Sequence, residues 1–436
     1  MFSLFSFSLK INGFPIAKAK KQFAEIVAIS EVEYENYLIK QRNEIVEFHL
    51  RNNSFYRDLV GKEKIENWND LPVLSKKDLQ KPLTERLSKG YSTKNCYINK
   101  TSGSSGTPFI FAKDKPCHAL TWASIIYRFG WFGIDFNSSY QARFYGIPLD
   151  FMGNLKERIK DFLSSRYRFS IFNLSDLELE KIVSHFQNKK FDYINGYTSS
   201  IVLFAKYLEQ RNIVLKNICP SLKVCMVTSE MLFESDKKLL EKQFGIPIVN
   251  EYGASELDLI AFQNTNNEWQ VNAETLFVEI LDQNNQPIPK GTEGKIVITS
   301  LYNKAHPFIR YEIGDVGILD PKSTLQKPIL QKLIGRTSDV AVLPSGKKSP
   351  GLTFYYVTKS IIEDDGNVKE FIVRQTKIDS FEIDYVSTEV LTKQQIDAIE
   401  KAIATYLEPG LQFTYTRKEV LDRTKRGKLK QFQSLL

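Results

Sequence analysis

Residues 224–256 read VCMVTSEMLFESDKKLLEKQFGIPIVNEYGASE, and this stretch decides the fold. A short apolar run, Val224–Val227, is followed by a helical pattern over 234–244 and by a second apolar run, Ile246–Val249. The same alternation occurs upstream, with β-type runs at Cys96–Ile98, Gln141–Tyr145 and Tyr193–Ile194 and helical patterns at 176–187 and 199–210. Strands that alternate with helices predict a mainly parallel α/β sheet.

The hydrophobic period changes to two after residue 268 and predicts a small β unit that includes strands at Leu276–Leu281 and Gly294–Thr299. The last hundred residues predict strands at 369–375, 381–387 and 411–416 and a helix, Lys393–Tyr406, with Thr392 as its N-cap. We therefore predict an α/β protein with two domains. Residues 1–335 form a large domain of mixed parallel sheets with flanking helices plus the small β unit, and residues 336–436 form a small, mobile α+β domain.

Composition sets limits on the class of protein. The 436 residues are 42% hydrophobic and carry a formal charge of +8 that is spread along the chain, which argues against a nucleic-acid partner. Four scattered cysteines predict neither a zinc site nor a disulfide framework and fit a reducing cytoplasm. No run reaches the roughly 18 apolar residues of a membrane span. The start, MFSLFSFSLK, predicts a helix that covers the core, with a peripheral membrane role left open.

A serine- and glycine-rich stretch follows the first predicted strand and carries the strongest local signal. It consists of Thr101, Ser102, Gly103, Ser104, Ser105, Gly106 and Thr107, with Pro108 next. Its glycines let backbone N–H groups converge on an anion and its hydroxyls add donors, which suits the β- and γ-phosphates of ATP. It lacks the GK[ST] ending of a Walker A loop. The alternative is a flexible Ser/Gly loop.

A second motif, Asn250–Glu256, follows the apolar run Ile246–Val249. Tyr252 at the end of a parallel strand can stack on a purine, and Glu256 can hold Mg²⁺, which takes oxygen ligands and substrate phosphates. Glu251, Gly253 and Ser255 complete the candidate nucleotide-binding residues of this motif. The alternative is a strand–turn–helix unit with Glu256 in the first turn of the helix.

Three further motifs follow in order. Asp315, in Arg310–Gly317, can accept two hydrogen bonds from a ribose diol, or it is an aspartate in a hairpin turn. Arg336, in Gly335–Asp339, can clamp ribose or phosphate oxygens, or it is an exposed residue of a linker. Lys428, in Asp422–Lys430, can be presented to a carboxylate and an α-phosphate, or it belongs to a solvated basic tail.

Weaker signals complete the candidate site. Ser229 and Glu230 follow the strand Val224–Val227 and can line the nucleotide pocket, or form an ordinary N-cap. Tyr193–Tyr197 can line an acyl pocket, although aromatic residues there are more often part of a core. The four histidines occur in no triad-like context and are interpreted as structural: His49, His118, His185 and His306.

In this order the five motifs resemble those of the superfamily of adenylate-forming enzymes, which includes acyl-CoA synthetases, adenylation domains and luciferases. The resemblance runs from about residue 96 to 430. The context NKAHPFIRYEIGD at 303–315 is similar to the phenylacetate–CoA ligase branch, and within it to the shorter CapK-type proteins of capsule and surface-polysaccharide gene clusters. It implies ATP-dependent activation of a carboxylic acid to an acyl-adenylate with release of pyrophosphate, followed by acyl transfer to a thiol of CoA or of an acyl-carrier protein.

The resemblance also implies residue roles. Residues 101–108 would hold the ATP phosphates, Tyr252 would stack on adenine, and Ser255 and Glu256 would contact phosphate and Mg²⁺. Asp315 would bind the ribose, Arg336 would assist, and Lys428 would be the mobile catalytic lysine. Ser338 and the segment 340–351 depart from the family pattern and put CoA as acceptor in doubt.

Alternatives remain open at this point. The acceptor can be an amine on a sugar, and the chain can be a non-catalytic nucleotide-binding relative or a phosphotransferase that moves the γ-phosphate. The sequence identifies neither the acid nor the oligomeric state, and a homodimer is left open.

Overall fold

The computed structural model describes residues 4–61, 65–101, 109–146, 151–172, 174–336, 340–350, 368–423 and 429–436, with backbone only at 4, 151, 153, 156, 336, 340, 348, 350 and 406. The helices in these ranges are α1 Leu4–Ile11, α2 Ile16–Val27, α3 Glu31–Asn52, α4 Ser54–Val60, α5 Leu83–Arg86, α6 Lys115–Gly130, α7 Phe151–Leu163, α8 Asp176–Asn188, α9 Thr198–Gln210, α10 Leu215–Ile218, α11 Glu234–Phe244 and α12 Lys393–Tyr406, with a 3-10 turn at Trp68–Asp70.

The strands are β1 Cys96–Lys100, β2 Ile110–Asp114, β3 Gln141–Phe144, β4 Arg166–Phe169, β5 Tyr193–Tyr197, β6 Val224–Thr228, β7 Ile248–Ala254, β8 Asp258–Gln263, β9 Trp269–Val271, β10 Leu276–Leu281, β11 Gly294–Ser300, β12 Tyr311–Leu319, β13 Leu330–Arg336, β14 Val340–Val342, β15 Lys348–Pro350, β16 Val368–Lys377, β17 Ser380–Ser387, β18 Gln412–Lys418 and β19 Phe432–Ser434. The predicted α/β class, with parallel-containing sheets and flanking helices, is confirmed.

The chain divides into two compact units. The first contains residues 1–313 and 317–332, and the second contains 314–316 and 333–436. The predicted domain bounds, 1–335 and 336–436, and the predicted mobility of the second domain stay predictions.

A seven-stranded sheet dominates the first unit, in the order β4-β3-β5-β6-β7-β8-β9. The first five strands in this order are parallel, and β8 and β9 continue the sheet antiparallel. The parallel part is covered on both faces, so its strands are apolar along their whole length. One face packs against α8, α9 and α11 through side chains that include Phe144, Val227 and Phe244. The other packs against Phe129 of α6.

The amino-terminal helices lie against α6. Phe5 and Leu9 of α1 are buried beside Trp122, as expected for a helix that covers the core. The sequence Leu71–Asp78 has the pattern of a turn into a helix with Ser75 as its N-cap, but no helix begins there. The Ser75 amide and hydroxyl donate to the Asp78 carboxylate, so the N-terminal capping pattern closes only a turn, and the next helix is α5. Local capping bonds are satisfied by a single turn as well as by a helix.

The second unit has its own sheet, in the order β18-β17-β16-β19, and its own buried residues. Phe371 and Ile383 on the sheet and Ile399 and Ile403 on α12 are all buried. Thr392 caps α12, with its side chain and that of Gln395 bonding each other's backbone N–H groups. The predicted helix and its N-cap are therefore present at the expected residues.

Gly196 is required by close packing between β3 and β5. A Cβ at this position would lie 2.5 Å from both the Cβ and the carbonyl oxygen of Phe144. We expect Gly196→Ala to lower the free energy of unfolding by about 1–3 kcal/mol, because backbone must move to admit the methyl group. Gly130→Ala is the matched control, since a Cβ there meets no atom within 4 Å. Urea unfolding followed by circular dichroism measures both, and equal stability of the two variants would contradict the packing argument.

Candidate functional site

The carboxyl ends of the parallel strands β5, β6 and β7 place Tyr197, Thr228 and Glu251 side by side. In the sheet register, Tyr197 pairs with Thr228, and Thr228 pairs with Glu251. The Thr228 hydroxyl donates to Glu251 Oε1 at 3.0 Å. Burial raises the pKa of the Glu251 carboxyl, which the hydrogen bond from Thr228 and the charge of Arg143 partly oppose. This end of the sheet is where α/β proteins bind ligands.

The serine- and glycine-rich stretch connects β1 to β2, which pair antiparallel from Cys96 and Asp114 to Lys100 and Ile110. Ser102, Gly103, Ser104, Ser105, Gly106, Thr107 and Pro108 lie outside the described residues. Thr101 is described, and its N–H donates to the Phe109 carbonyl at 2.9 Å while its Oγ1 accepts from the Phe109 N–H at 3.0 Å. Two hydrogen bonds between Thr101 and Phe109, which we call the Thr101–Phe109 clasp, therefore join the two ends of the stretch. The pairing of β1 with β2 was not predicted from the sequence.

Strand β2 is fastened to the turn that carries the second motif. Lys113, only 3% exposed, forms an ion pair with Asp258, the residue that begins β8. Asn303 Nδ2 donates to the Ala112 carbonyl at 2.9 Å, and the Lys304 N–H donates to Asp114 Oδ2 at 2.7 Å. The base of the serine- and glycine-rich stretch is thus held by both the second motif and the segment before the third.

Glu256 lies in the turn between β7 and β8 and is 7% exposed. The Tyr311 hydroxyl donates to Glu256 Oε1 at 3.0 Å. The alternative in which Glu256 opens a helix is wrong, because β8 follows and pairs antiparallel with β7. The dipole of a helix therefore does not explain the carboxylate, and a tyrosine fixes its position instead.

Aromatic side chains connect the Thr101–Phe109 clasp to Glu256. The ring of Phe109 meets that of Phe308 edge-on with 6.1 Å between centroids, and Phe308 meets Tyr311 at 5.3 Å. All three rings are buried to at least 99%. Since the Tyr311 hydroxyl donates to Glu256, two ring contacts and one hydrogen bond connect the base of the serine- and glycine-rich stretch to Glu256, the predicted Mg²⁺ ligand.

Tyr252 and Gly253 sit at an irregularity in β7. The pairing with β8 shifts between these two residues. A Cβ on Gly253 would lie 2.6 Å from the Asp258 carbonyl oxygen, so only glycine admits this close approach. Tyr252 is buried and meets Trp269 edge-on at 5.9 Å. Ser255 follows in the turn, and its predicted phosphate contact remains a prediction.

Ser229 and Glu230 do not cap the helix that follows them in sequence. Ser229 has a left-handed backbone with φ of 72°, and α11 begins only at Glu234. The Glu230 carboxylate instead accepts from the Ser199 N–H at 2.7 Å, at the start of α9. Glu230 thus satisfies the amino end of a helix from the neighbouring βα unit. Their predicted place in the nucleotide pocket stays a prediction.

Arg310 is a residue whose role sequence reasoning missed. It is 1% exposed and has φ of 46°, and its guanidinium donates to the Leu71 carbonyl at 2.8 Å and pairs with Glu279 at 3.4 Å. It fixes the start of β12, immediately before Tyr311. Its place directly before the Tyr-x-x-Gly-Asp motif was the signal that could have pointed to it.

The remaining candidates belong to the second unit. Asp315 is buried inside β12, so the hairpin-turn alternative is wrong. Arg336 ends β13, but its side chain and residues 337–339 lie outside the described residues. Lys428 also lies outside them. The segment that carries it is flanked by Arg423 and Leu429, which pair in a β-bridge, and Leu429 packs with Ile372.

Two buried histidines are held neutral. His49 Nε2 donates to the Asn303 carbonyl at 2.9 Å, while its Nδ1 accepts from Ser88, and His306 accepts from Arg86. Burial lowers the pKa of His49 to about 4 and that of His306 well below its usual range. This supports the interpretation of both as structural.

Stability should therefore fall in mild acid. Below about pH 6.5 the unfolded chain protonates these imidazoles while the folded chain does not, so unfolding takes up protons and stability drops from pH 6.5 toward 4. We expect a loss of roughly 2 kcal/mol per histidine between pH 7.5 and 5, measured by urea unfolding. His49→Asn should remove the share of one histidine, about 2 kcal/mol. The raised pKa values of Glu251 and Glu279 make these two residues increase stability as the pH falls. Their contribution is the same in the wild-type protein and in His49→Asn, so it cancels when the two proteins are compared. Unchanged stability in both proteins would contradict this.

The residues suit Mg²⁺ held partly by a substrate. Among the described residues, no group of three or more His, Cys, Asp or Glu side chains is placed to hold a metal. Mg²⁺ is commonly bound by one or two carboxylates together with substrate phosphates, keeping several waters. A single buried carboxylate, Glu256, with one oxygen fixed by Tyr311, fits that mode.

Similarity to known proteins agrees with the fold and the motif order. Protein CapK of Staphylococcus aureus is 24% identical over 343 residues, which cover 73% of this chain and 72% of CapK. Phenylacetate-coenzyme A ligase of Aromatoleum evansii is 26% identical over 182 residues, 40% of each chain. The crystal structure of 2-hydroxyisobutyryl-CoA ligase in the postadenylation state matches with a TM-score of 0.70 and 16% identity, covering 92% of this chain and 89% of that one.

The predicted resemblance to the phenylacetate–CoA ligase-like branch of adenylate-forming enzymes is confirmed by these relatives and by the shared fold. No protein-family model matches the chain. In the part of the chain that the structure describes, no helix is both long enough and apolar enough to cross a membrane.

Proposed function

We propose that this protein is an adenylate-forming ligase. It would join ATP to a small carboxylic acid, release pyrophosphate, and pass the acyl group from the acyl-adenylate to a thiol, in the cytoplasm. The observation that carries the proposal is the link between the base of the serine- and glycine-rich stretch and Glu256, made by Phe109, Phe308 and Tyr311. The name of the phenylacetate ligase supports the acid–thiol type of reaction.

The first step needs little covalent chemistry from the protein. A carboxylate oxygen attacks the α-phosphorus of ATP, forming a C–O–P linkage, and the bond from the α-phosphorus to the bridging oxygen breaks, so that pyrophosphate leaves with the electron pair. Both reactants are anions and repel each other. The protein must therefore position them and supply positive potential where charge develops.

The chain's residues divide this task. Residues 101–107 are proposed to donate to the β- and γ-phosphates, Tyr252 to stack on adenine, and Ser255 to contact phosphate. Asp315 and Arg336 are proposed to bind the ribose, with Glu251, Gly253, Ser229 and Glu230 shaping the pocket. Glu256 is proposed to hold Mg²⁺, which when bound neutralises phosphate charge.

The second step is proposed to use CoA or an acyl-carrier protein as the thiol. The similarity to CoA ligases supports a thiol, and the amine of a sugar is the competing acceptor. Incubation of the purified chain with ATP, acid and each acceptor separates these, since a thioester and an amide differ in their cleavage by hydroxylamine.

The decisive experiment is ATP–pyrophosphate exchange with the full chain across aryl, fatty and amino acids. Exchange that depends on an added acid, with AMP and pyrophosphate as products, is the expected result. Formation of ADP would instead support a phosphotransferase. Absence of ATP binding by calorimetry would support a non-catalytic relative, and either result overturns the proposal.

A further inference from the structure

Arg143 is a cation on the binding edge of the main sheet that the proposed function does not use. It lies on β3 and pairs in register with Asn195 of β5, which pairs with Met226 of β6. Side chains two residues apart on a strand share a face, so Arg143 shares its face with Tyr145, while Asn195 and Met226 share theirs with Tyr197 and Thr228. Arg143 is half-buried beside the proposed acyl-binding residues.

The guanidinium of Arg143 is positioned but not neutralised. It stacks over the ring of Tyr145 at 4.1 Å. Its Nε is buried without a hydrogen-bond partner, and within the described ranges no carboxylate lies at ion-pair distance from it. A buried donor left without a partner costs free energy, so such a group in a native fold calls for an explanation.

Neighbouring arginines do have carboxylate partners. Arg168, which pairs with Arg143 in the β3–β4 register, bonds Asp161 through two nitrogens at 2.9 and 3.0 Å and Glu157 at 2.8 Å. Arg166 also bonds Asp161, at 2.5 Å. These carboxylates pair with the arginines of β4 and not with Arg143.

The Tyr145 ring beneath the Arg143 guanidinium contacts the ring of Tyr197, at the end of β5, with 4.6 Å between centroids. The charge of Arg143 acts on the carboxyl of Glu251, the residue next to Tyr252, and lowers the pKa that burial of Glu251 has raised. The Glu251 carboxylate oxygen Oε1 accepts from the Thr228 hydroxyl at 3.0 Å rather than from Arg143. A planar guanidinium with free donors is suited to bind a carboxylate or a phosphate in bidentate fashion.

We propose that Arg143 is a specificity-determining residue that binds a second anionic group of the acid substrate. The substrate is then an acid with one carboxyl group that reacts with ATP and a second carboxylate or phosphate at its other end. This inference rests on the proposed function, because it assigns the substrate class of the same site.

The test uses acid pairs that differ only in the second charge, in ATP–pyrophosphate exchange with the full chain. The probes are glutarate against pentanoate, 4-carboxyphenylacetate against phenylacetate, and 3-phosphonopropionate against butyrate. We expect kcat/KM for the doubly charged member to exceed that of its partner by about 10- to 100-fold, the usual range for a charged hydrogen-bonded pair. The phosphonate pair distinguishes recognition of a phosphate-like group from recognition of a carboxylate.

Variants locate the preference. Arg143→Met should remove it by lowering kcat/KM for the doubly charged acid about 10- to 100-fold while KM for ATP stays unchanged, and Arg143→Lys should keep part of it. Arg211→Met is the matched control, because Arg211 also stacks over a tyrosine, Tyr207 at 5.3 Å, but is exposed at the end of α9. It should leave the preference unchanged.

The results of this experiment distinguish failure of the Arg143 role from failure of adenylation. Exchange with a preference for the singly charged acid of every pair, or an equal loss with both members in Arg143→Met, overturns the role of Arg143 and leaves adenylation intact. Absence of exchange and of ATP binding with all six acids overturns adenylation and this inference with it. A charge preference that Arg143→Met abolishes supports both.

Discussion

Glu256→Gln is expected to lower ATP–pyrophosphate exchange by about 10²- to 10³-fold, the range seen when one preorganised electrostatic group is removed from an active site. The substitution keeps the size of the side chain and its ability to accept from Tyr311, which now lies 3.0 Å from Oε1. What it removes is the negative charge that would bind Mg²⁺ together with the ATP phosphates. The loss should therefore be partly recovered at high Mg²⁺ concentration.

Tyr311→Phe is the matched control for this prediction. It removes the hydroxyl that fixes Glu256 but keeps the ring that packs against Phe308 at 5.3 Å. We expect a smaller loss of exchange, about tenfold, because the carboxylate is present but less well oriented. Circular dichroism of both variants checks the fold. Exchange at the wild-type rate in a folded Glu256→Gln protein would exclude Glu256 from magnesium binding.

The sequence predicted the parallel part of the fold well because two local signals agree there. Short apolar runs such as Val224–Val227 and the amphipathic pattern at 234–244 specify strand and helix independently of their partners. Helix α12 was predicted with the correct first and last residues. Thr392 and Gln395 form a capping box, which is a pattern of four consecutive residues and can be recognised from the sequence alone.

The strands of the antiparallel pair β10–β11 were predicted, but two other antiparallel pairings were missed because their signals are not local. The β1–β2 hairpin is joined by a stretch longer than a tight turn, and its closure depends on the bonds between Thr101 and Phe109. The pairing of β7 with β8 depends on the absence of a Cβ at Gly253. The ion pair between Lys113 and Asp258 joins residues 145 apart in the chain, and the sequence around either residue does not indicate which residue it pairs with.

For the site, the sequence identified the residue types but not what orients them. Glu256 was predicted as a ligand from its spacing to Tyr252, whereas its orientation by Tyr311 comes from a strand 55 residues later. From the sequence, Arg310 and Arg143 cannot be distinguished from other charged residues of the chain. Only burial, 1% exposure for Arg310, and the lack of a carboxylate near Arg143 among the described residues distinguish them.

Lys428→Ala is expected to abolish adenylation, lowering exchange by at least about 10³-fold, while ATP binding by calorimetry stays largely intact. The attacking carboxylate and the α-phosphate are both negative, and one lysine between them would stabilise charge that is brought together only in the transition state. Its loss should therefore appear in kcat and not in the affinity for ATP.

Lys430→Ala is the matched control, two residues further along the same basic segment. The competing interpretation, a solvated basic tail, predicts small and equal effects for Lys428→Ala and Lys430→Ala, since exposed charges of one sign act as a diffuse field. The catalytic interpretation predicts a loss confined to Lys428. Leu429 between them is 5% exposed and packs with Ile372 and Leu421, so the ends of the segment should stay in place in both variants. Normal exchange by Lys428→Ala would show that this lysine takes no part in adenylation.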